Sequence, residues 1–107
     1  MKRRLCEFAY ARSGDKGAHA NVGVWVHNEE DYAIIRGALT ESVVERHFSS
    51  LHPQRVRRYD LPNLLALNFV LEGVLGEGGA SVGLRTDAQA KVYSARLLQL
   101  EIEVGDD

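Results

Sequence analysis

The sequence predicts an α+β domain, with a mainly antiparallel sheet and two principal helices on one of its faces. Three observations lead there. Stretches in which apolar residues alternate with period two interleave with stretches of helical spacing. The chain has 107 residues, enough for one domain with a modest core. No repeat, linker or low-complexity segment divides it, apart from the acidic end at Asp106 and Asp107. Interleaved elements on so short a chain favour helices packed against one side of a sheet.

The elements follow in order. Residues 5–11 and 21–27 are the first two predicted strands. In the second, Val22, Val24 and Val26 alternate with Gly23 and Trp25, which gives one β-branched face and one mixed face. Residues 31–39 read as a short helical turn. Thr40 then stands as a helix N-cap, with Glu41 in the first turn where the helix dipole favours it. Val44, His47, Phe48 and Leu51 fall at i, i+3, i+4 and i+7, so residues 40–51 form an amphipathic helix that Pro53 ends.

Arg55–Leu61 is a third predicted strand, and Pro62 opens the next element. Leu64, Leu67, Asn68, Leu71, Val74 and Leu75 make a helical stripe. Leu65, Phe69 and Val70 widen it until the helix is apolar nearly all round, and Gly76 is its C-terminal stop. Residues 81–86 read as a strand and residues 87–90 as the centre of a hairpin. Leu98, Leu100, Ile102 and Val104 alternate with polar residues as the last strand. Residues 93–97 are either its beginning or a preceding helical turn. The specific arrangement expected is a ferredoxin-like sandwich.

Composition bounds the function. A hydrophobic content of 45 % and a charged content of 26 % match an ordinary globular protein. The net charge of −2 argues against a general nucleic-acid binder, because phosphate affinity comes from clustered Lys and Arg. The local group Arg55, Arg57 and Arg58 is split by strand alternation, with Arg58 opposite the other two, and reads as a solvated edge. Cys6 is the lone cysteine, so neither an intrachain disulfide nor a thiolate metal site is expected. No apolar stretch reaches the length of a signal peptide or a membrane span, and a cytoplasmic location is the expectation.

The run Arg12, Ser13, Gly14, Asp15, Lys16 and Gly17, closed by Asn21 and Gly23, is the part richest in chemistry. Read as a turn at a strand end, its glycines let backbone N–H groups approach a ligand, its cations add fixed positive charge, and Asp15 adds an acceptor or base. The same residues also suit a tight turn with a surface ion pair. The spacing fits no Walker loop, and Ser81 breaks the dinucleotide fingerprint that Gly76 and Gly78 begin. Asn68, an amide in an apolar stripe, either ties down neighbouring backbone or points into a ligand pocket. Gly78 and Gly79 lie in a connector or in a flap beside the first run. His19 follows Asp15 by four residues and is the one histidine considered for acid–base work, with Asp15 as the other weak catalytic candidate. The four histidines form no metal pattern, and neither a metal nor a cofactor is expected.

Residues 8–23 resemble the C-terminal domain of the acyclic terpene utilisation protein AtuA. The likeness rests on Ala11 to Gly17 with Asn21, Val22 and Gly23, and continues through Leu39, Thr40 and Glu41, then Tyr59, Asp60, Leu61 and Pro62. It extends to Ala66, Leu67, Asn68, Phe69, Val70 and Leu71, to residues 75–79, and to Leu84, Arg85, Thr86 and Asp87. Ala18 stands where that family commonly has Asp, and Ala88 and Ala90 stand where it has Pro and Gly. The resemblance implies a ferredoxin-like domain linked to breakdown of terpenoid and branched acids as coenzyme A thioesters. It carries over motif positions but no catalytic roles. The expectation is a single domain over residues 1–107 that acts as an accessory subunit or ligand-binding domain with an AtuA-type large chain. The competing expectations are a small enzyme or acyl-CoA or carboxylate binder using Arg12, Lys16 and Asn21, and a homo-oligomeric structural protein.

Overall fold

Alternating burial along the two inner strands builds the sheet. The computed structural model describes residues 2–16, 19–73 and 87–103. β1 (Lys2–Arg4) passes through a 3-10 turn at Leu5–Glu7 into β2 (Tyr10–Lys16), and β3 (His19–Trp25) follows. Then come α1 (Glu29–Ala38), α2 (Glu41–His47), β4 (Arg55–Leu61), β5 (Ala66–Glu72), α3 (Asp87–Leu98) and β6 (Glu101–Glu103). The main sheet has the order β2-β3-β5-β4 with every neighbouring pair antiparallel, while β1 and β6 pair separately. β3 and β4 both oppose β5, so they run parallel to each other, with α1 and α2 as the crossover between them. This is the split β-α-β unit of a ferredoxin-like fold. The strand flanking β3 is β2, which comes before that unit in the chain.

One face of this sheet is the core. Ala20, Val22 and Val24 of β3, Val56 of β4, and Leu67, Phe69 and Leu71 of β5 are buried on it. Tyr32 and Ile35 of α1, Val44 of α2, Phe48, and Tyr93 and Leu97 of α3 cover them. The helices start where their caps dictate. The Asn28 side chain accepts the Asp31 N–H at 2.7 Å, and Thr40 Oγ1 accepts the Val43 N–H at 3.1 Å. Arg58 seals the β4 edge. Its guanidinium donates to the carbonyls of Arg36 and Leu39, and its backbone N–H donates to Glu41 Oε2 at 2.8 Å.

Several expected elements change character. The strand expected over residues 5–11 is interrupted, because the carbonyl of buried Leu5 accepts the N–H groups of both Phe8 and Ala9 and turns the chain. The turn expected at residues 31–39 is the full helix α1. The helix over residues 40–51 is α2 followed by a 3-10 turn at Ser49–Leu51, which His52 closes in a left-handed conformation. The apolar helix expected from Leu64 is instead a short 3-10 turn, Pro62–Leu64, and then β5. Leu67, Phe69 and Leu71 alternate on the covered face of β5, and Val70 on the other face, with Leu64 and Leu65 before the strand, completes an imitation of helical spacing. The hairpin expected at residues 87–90 is the first turn of α3, in keeping with the helix preference of Ala88 and Ala90. Val74, Leu75, Gly76 and the strand expected over residues 81–86 lie outside the described residues. β4 has the expected bounds, and the last strand is the shorter β6.

Candidate functional site

The alternate residues of the same four strands form the second face of the sheet, which none of the described residues covers as the helices cover the first. Backbone register fixes which of them are neighbours. One row across the sheet is Tyr10, Trp25, Ala66 and Leu61. The next is Arg12, Gly23, Asn68 and Tyr59, and the third is Gly14, Asn21, Val70 and Arg57. Strand alternation puts all three rows on one face, an apolar row followed by a polar centre.

The apolar row is half open to solvent. Tyr10 is 48 % exposed and stacks on Trp25 with ring centroids 5.9 Å apart, and the His27 ring is tilted against it at 4.8 Å. Leu61 and Tyr59 are exposed as well. In the polar centre, Asn21 Nδ2 donates to Asn68 Oδ1 across a long 3.4 Å. That single bond leaves most of the hydrogen-bonding capacity of the two amides unspent. Arg12 is exposed and has no ion pair or hydrogen-bond partner among the described residues.

The two glycines of this centre leave it hollow to different degrees. A Cβ at Gly23 would lie 3.7 Å from Asn68 Oδ1, an ordinary contact. A Cβ at Gly14 would come within 3.2 Å of Asn21 Oδ1, so a side chain there would push the amide aside. Below the centre, Arg57 Nε meets Glu72 Oε2 at 2.6 Å. Hydrogen bonding to Tyr59, with the Glu72 charge, raises the Arg57 pKa and keeps the guanidinium charged.

The structure sorts the sequence candidates. Arg12, Gly14, Asn21 and Asn68 come together on the open face, although the run that carries the first two is a strand and not a turn. Ser13 points the other way, where its Oγ accepts the Ser94 N–H of α3 at 3.2 Å. Its role is to dock a helix. Asn68 sits on β5, so the apolar helix stripe proposed for it does not exist.

His19 stands at the end of the face, and its Nδ1 accepts the Gly73 N–H at 3.0 Å. That bond fixes the ring beside the end of β5 and leaves Nε2 without a partner among the described residues. The backbone of Asp15 and Lys16 belongs to β2, while their side chains lie outside the described part of the chain, as do Gly17, Gly78 and Gly79. Tyr10, Trp25 and Tyr59 are additions that the sequence reading missed. The alternation around Val22, Val24 and Val26 carried the signal for Trp25, since it leaves that residue on the opposite face.

The described part of the face offers amide hydrogen-bonding groups and an exposed guanidinium. Among the described residues no group of three or more His, Cys, Asp or Glu is placed to hold a metal. A groove of about 670 Å³ lies elsewhere, between the β4 edge and the start of α2. Its Arg58 is already committed to two carbonyls and to Asp60, so it offers no free charge from that residue. No helix among the described residues is long and apolar enough to cross a membrane. Residues 3–103 match the family model of the AtuA ferredoxin-like domain. No curated protein and no solved structure matches the chain.

Proposed function

This chain belongs to the AtuA ferredoxin-like domain family, and we propose that it is a docking domain for an AtuA-type large chain in the breakdown of terpenoid or branched acyl-CoA compounds. The observation that carries this reading is the open face of the sheet. It holds half-exposed aromatic and aliphatic side chains beside a polar centre, the mixture that a protein interface uses. The partner and the pathway come from the family. The test is co-expression with an AtuA-type chain from the same genome, followed by size exclusion with light scattering. A stable mixed complex is the expected result. A chain that elutes alone, with no affinity for the large chain, rejects it.

A second reading draws on Arg12, unpaired among the described residues, beside Asn21 and Asn68. These groups suit a carboxylate or acyl-CoA ligand, with Asp15 or His19 moving a proton. Among the described residues the site is one face of a sheet, whereas small ligands are usually held in enclosed clefts, and that favours docking. Calorimetry with a short acyl-CoA separates the two. Heat of binding to the isolated chain, abolished by Arg12→Ala, would favour the small-ligand reading.

A further inference from the structure

The charge of the open face differs in sign from that of the chain. The protein carries −2 overall. The charged residues placed on this face by register and described with their side chains are Arg12, Arg55, Arg57 and Glu72. Glu72 is taken by Arg57. Arg12 and Arg55 remain without an ionic partner among the described residues, and both are exposed. The face is therefore electropositive in an acidic protein. It is also ordered in rows, with the apolar row of Tyr10, Trp25 and Leu61 next to Arg12 and Asn68, which flank the side-chain-free backbone of Gly23.

We propose that this face docks an acidic surface of a protein partner, with a partner carboxylate seated on Arg12 beside Asn21 and Asn68. Apolar partner residues would then lie against Tyr10, Trp25 and Leu61. Resting on the docking reading above, the proposal names the surface and the chemistry of its occupant. An unpaired guanidinium beside amide donors is the arrangement that receives a carboxylate with charge-assisted bonds. Gly23 lets the partner approach the sheet backbone there.

Two other occupants fit less well. A second copy stacked face to face about a two-fold axis would bring the same unpaired Arg12 and Arg55 into both halves of one interface, where like charges repel. Single-stranded nucleic acid needs successive free aromatic faces and a cationic groove. Here the Tyr10 ring already contacts Trp25 and His27.

The test measures affinity of the full chain for the AtuA-type large chain at about 50 and about 200 mM salt, where exposed charges are screened differently. It compares wild type, the double variant Arg12→Glu with Arg55→Glu, and Arg46→Glu on the helical side as a charge control. Affinity should fall at least about tenfold in the double variant and weaken with salt, while the control keeps wild-type affinity. Should the double variant fail to fold, Arg12→Gln with Asn68→Ala is read in its place, with the same direction of effect. A complex that forms but ignores the face variants overturns this inference and leaves the docking reading standing. No complex with the large chain removes the docking reading, and this inference with it. Arg12-dependent binding of a 12-mer of thymidine, or a homodimer that the double variant dissociates, overturns the inference in favour of those occupants.

Discussion

The two faces of one sheet are made by alternate residues of the same strands, yet they obey different rules. On β5, Leu67, Phe69 and Leu71 are completely buried, while Asn68 and Val70 between them are only partly so. On β3, Ala20, Val22 and Val24 are buried, while Asn21 is exposed. The covered face has no buried polar or charged side chain among the described residues. The open face concentrates amides, guanidiniums and aromatic rings. A residue shift of one along a strand exchanges a packed environment for a solvent-facing one. On the docking reading, stability and recognition are thus separated by direction and not by position in the chain.

The largest effect expected from that separation lies on the covered face. Phe69→Ala should cost about 3–5 kcal/mol, because it removes a fully buried ring and leaves a cavity that the surrounding sheet and helices fill incompletely. Urea unfolding measures it. A loss under about 1 kcal/mol would show that the packed face is not the source of stability.

Next comes Gly73, where β5 ends. Its φ of +80° lies in the left-handed region, and a Cβ there would stand 2.8 Å from the Gln54 side chain. Gly73→Ala should cost about 1–2 kcal/mol from backbone strain. The His19 ring, which accepts the Gly73 N–H, should report the distortion in its NMR shifts. An unchanged midpoint with unchanged His19 signals would contradict the strain.

Acid should act more weakly and away from both faces. The Arg3 side-chain hydrogen bond, with the backbone N–H of Arg4, lowers the Glu7 pKa below its ordinary 4.5. A carboxyl lowered on folding adds stability above its unfolded pKa and loses it as pH falls through the folded value. Below about pH 4.5, stability should therefore decline, and Glu7→Gln should flatten that decline. The same slope in wild type and Glu7→Gln would assign the acid sensitivity elsewhere.

The division between faces also explains what the sequence disclosed. β4 was legible end to end because Pro53 and Pro62 bracket a short β-rich run. The start of α2 was legible because Thr40 is a cap whose chemistry is local. β5 was not. Leu64, Leu65, Val70 and Leu71 around Leu67 and Phe69 satisfy helical and strand periods together, and only the neighbours β3 and β4 decide between them. The helix at Asp87–Leu98 was obscured by a reading that placed a turn at Ala88 and Ala90, against their own propensity. In the site, Arg12, Gly14 and Asn21 were visible as a local run. Their meeting with Asn68 needed the register across β3 and β5, which no local pattern contains.

The smallest stability effect is the most informative for function. Asn68 follows Leu67 and precedes Phe69, both of which are fully buried, so position alone would suggest a structural amide. Its side chain faces the open side and takes one long bond from Asn21, so folding gains little from it. Asn68→Ala and Arg12→Ala should each change unfolding stability by no more than about 0.5 kcal/mol. Both variants should nevertheless weaken binding to the large chain. A loss of 2 kcal/mol or so on Asn68→Ala would mean that the amide pair holds β3 to β5. The polar centre would then belong to the scaffold, and the distinction between a stabilising face and a binding face would fail at its middle row.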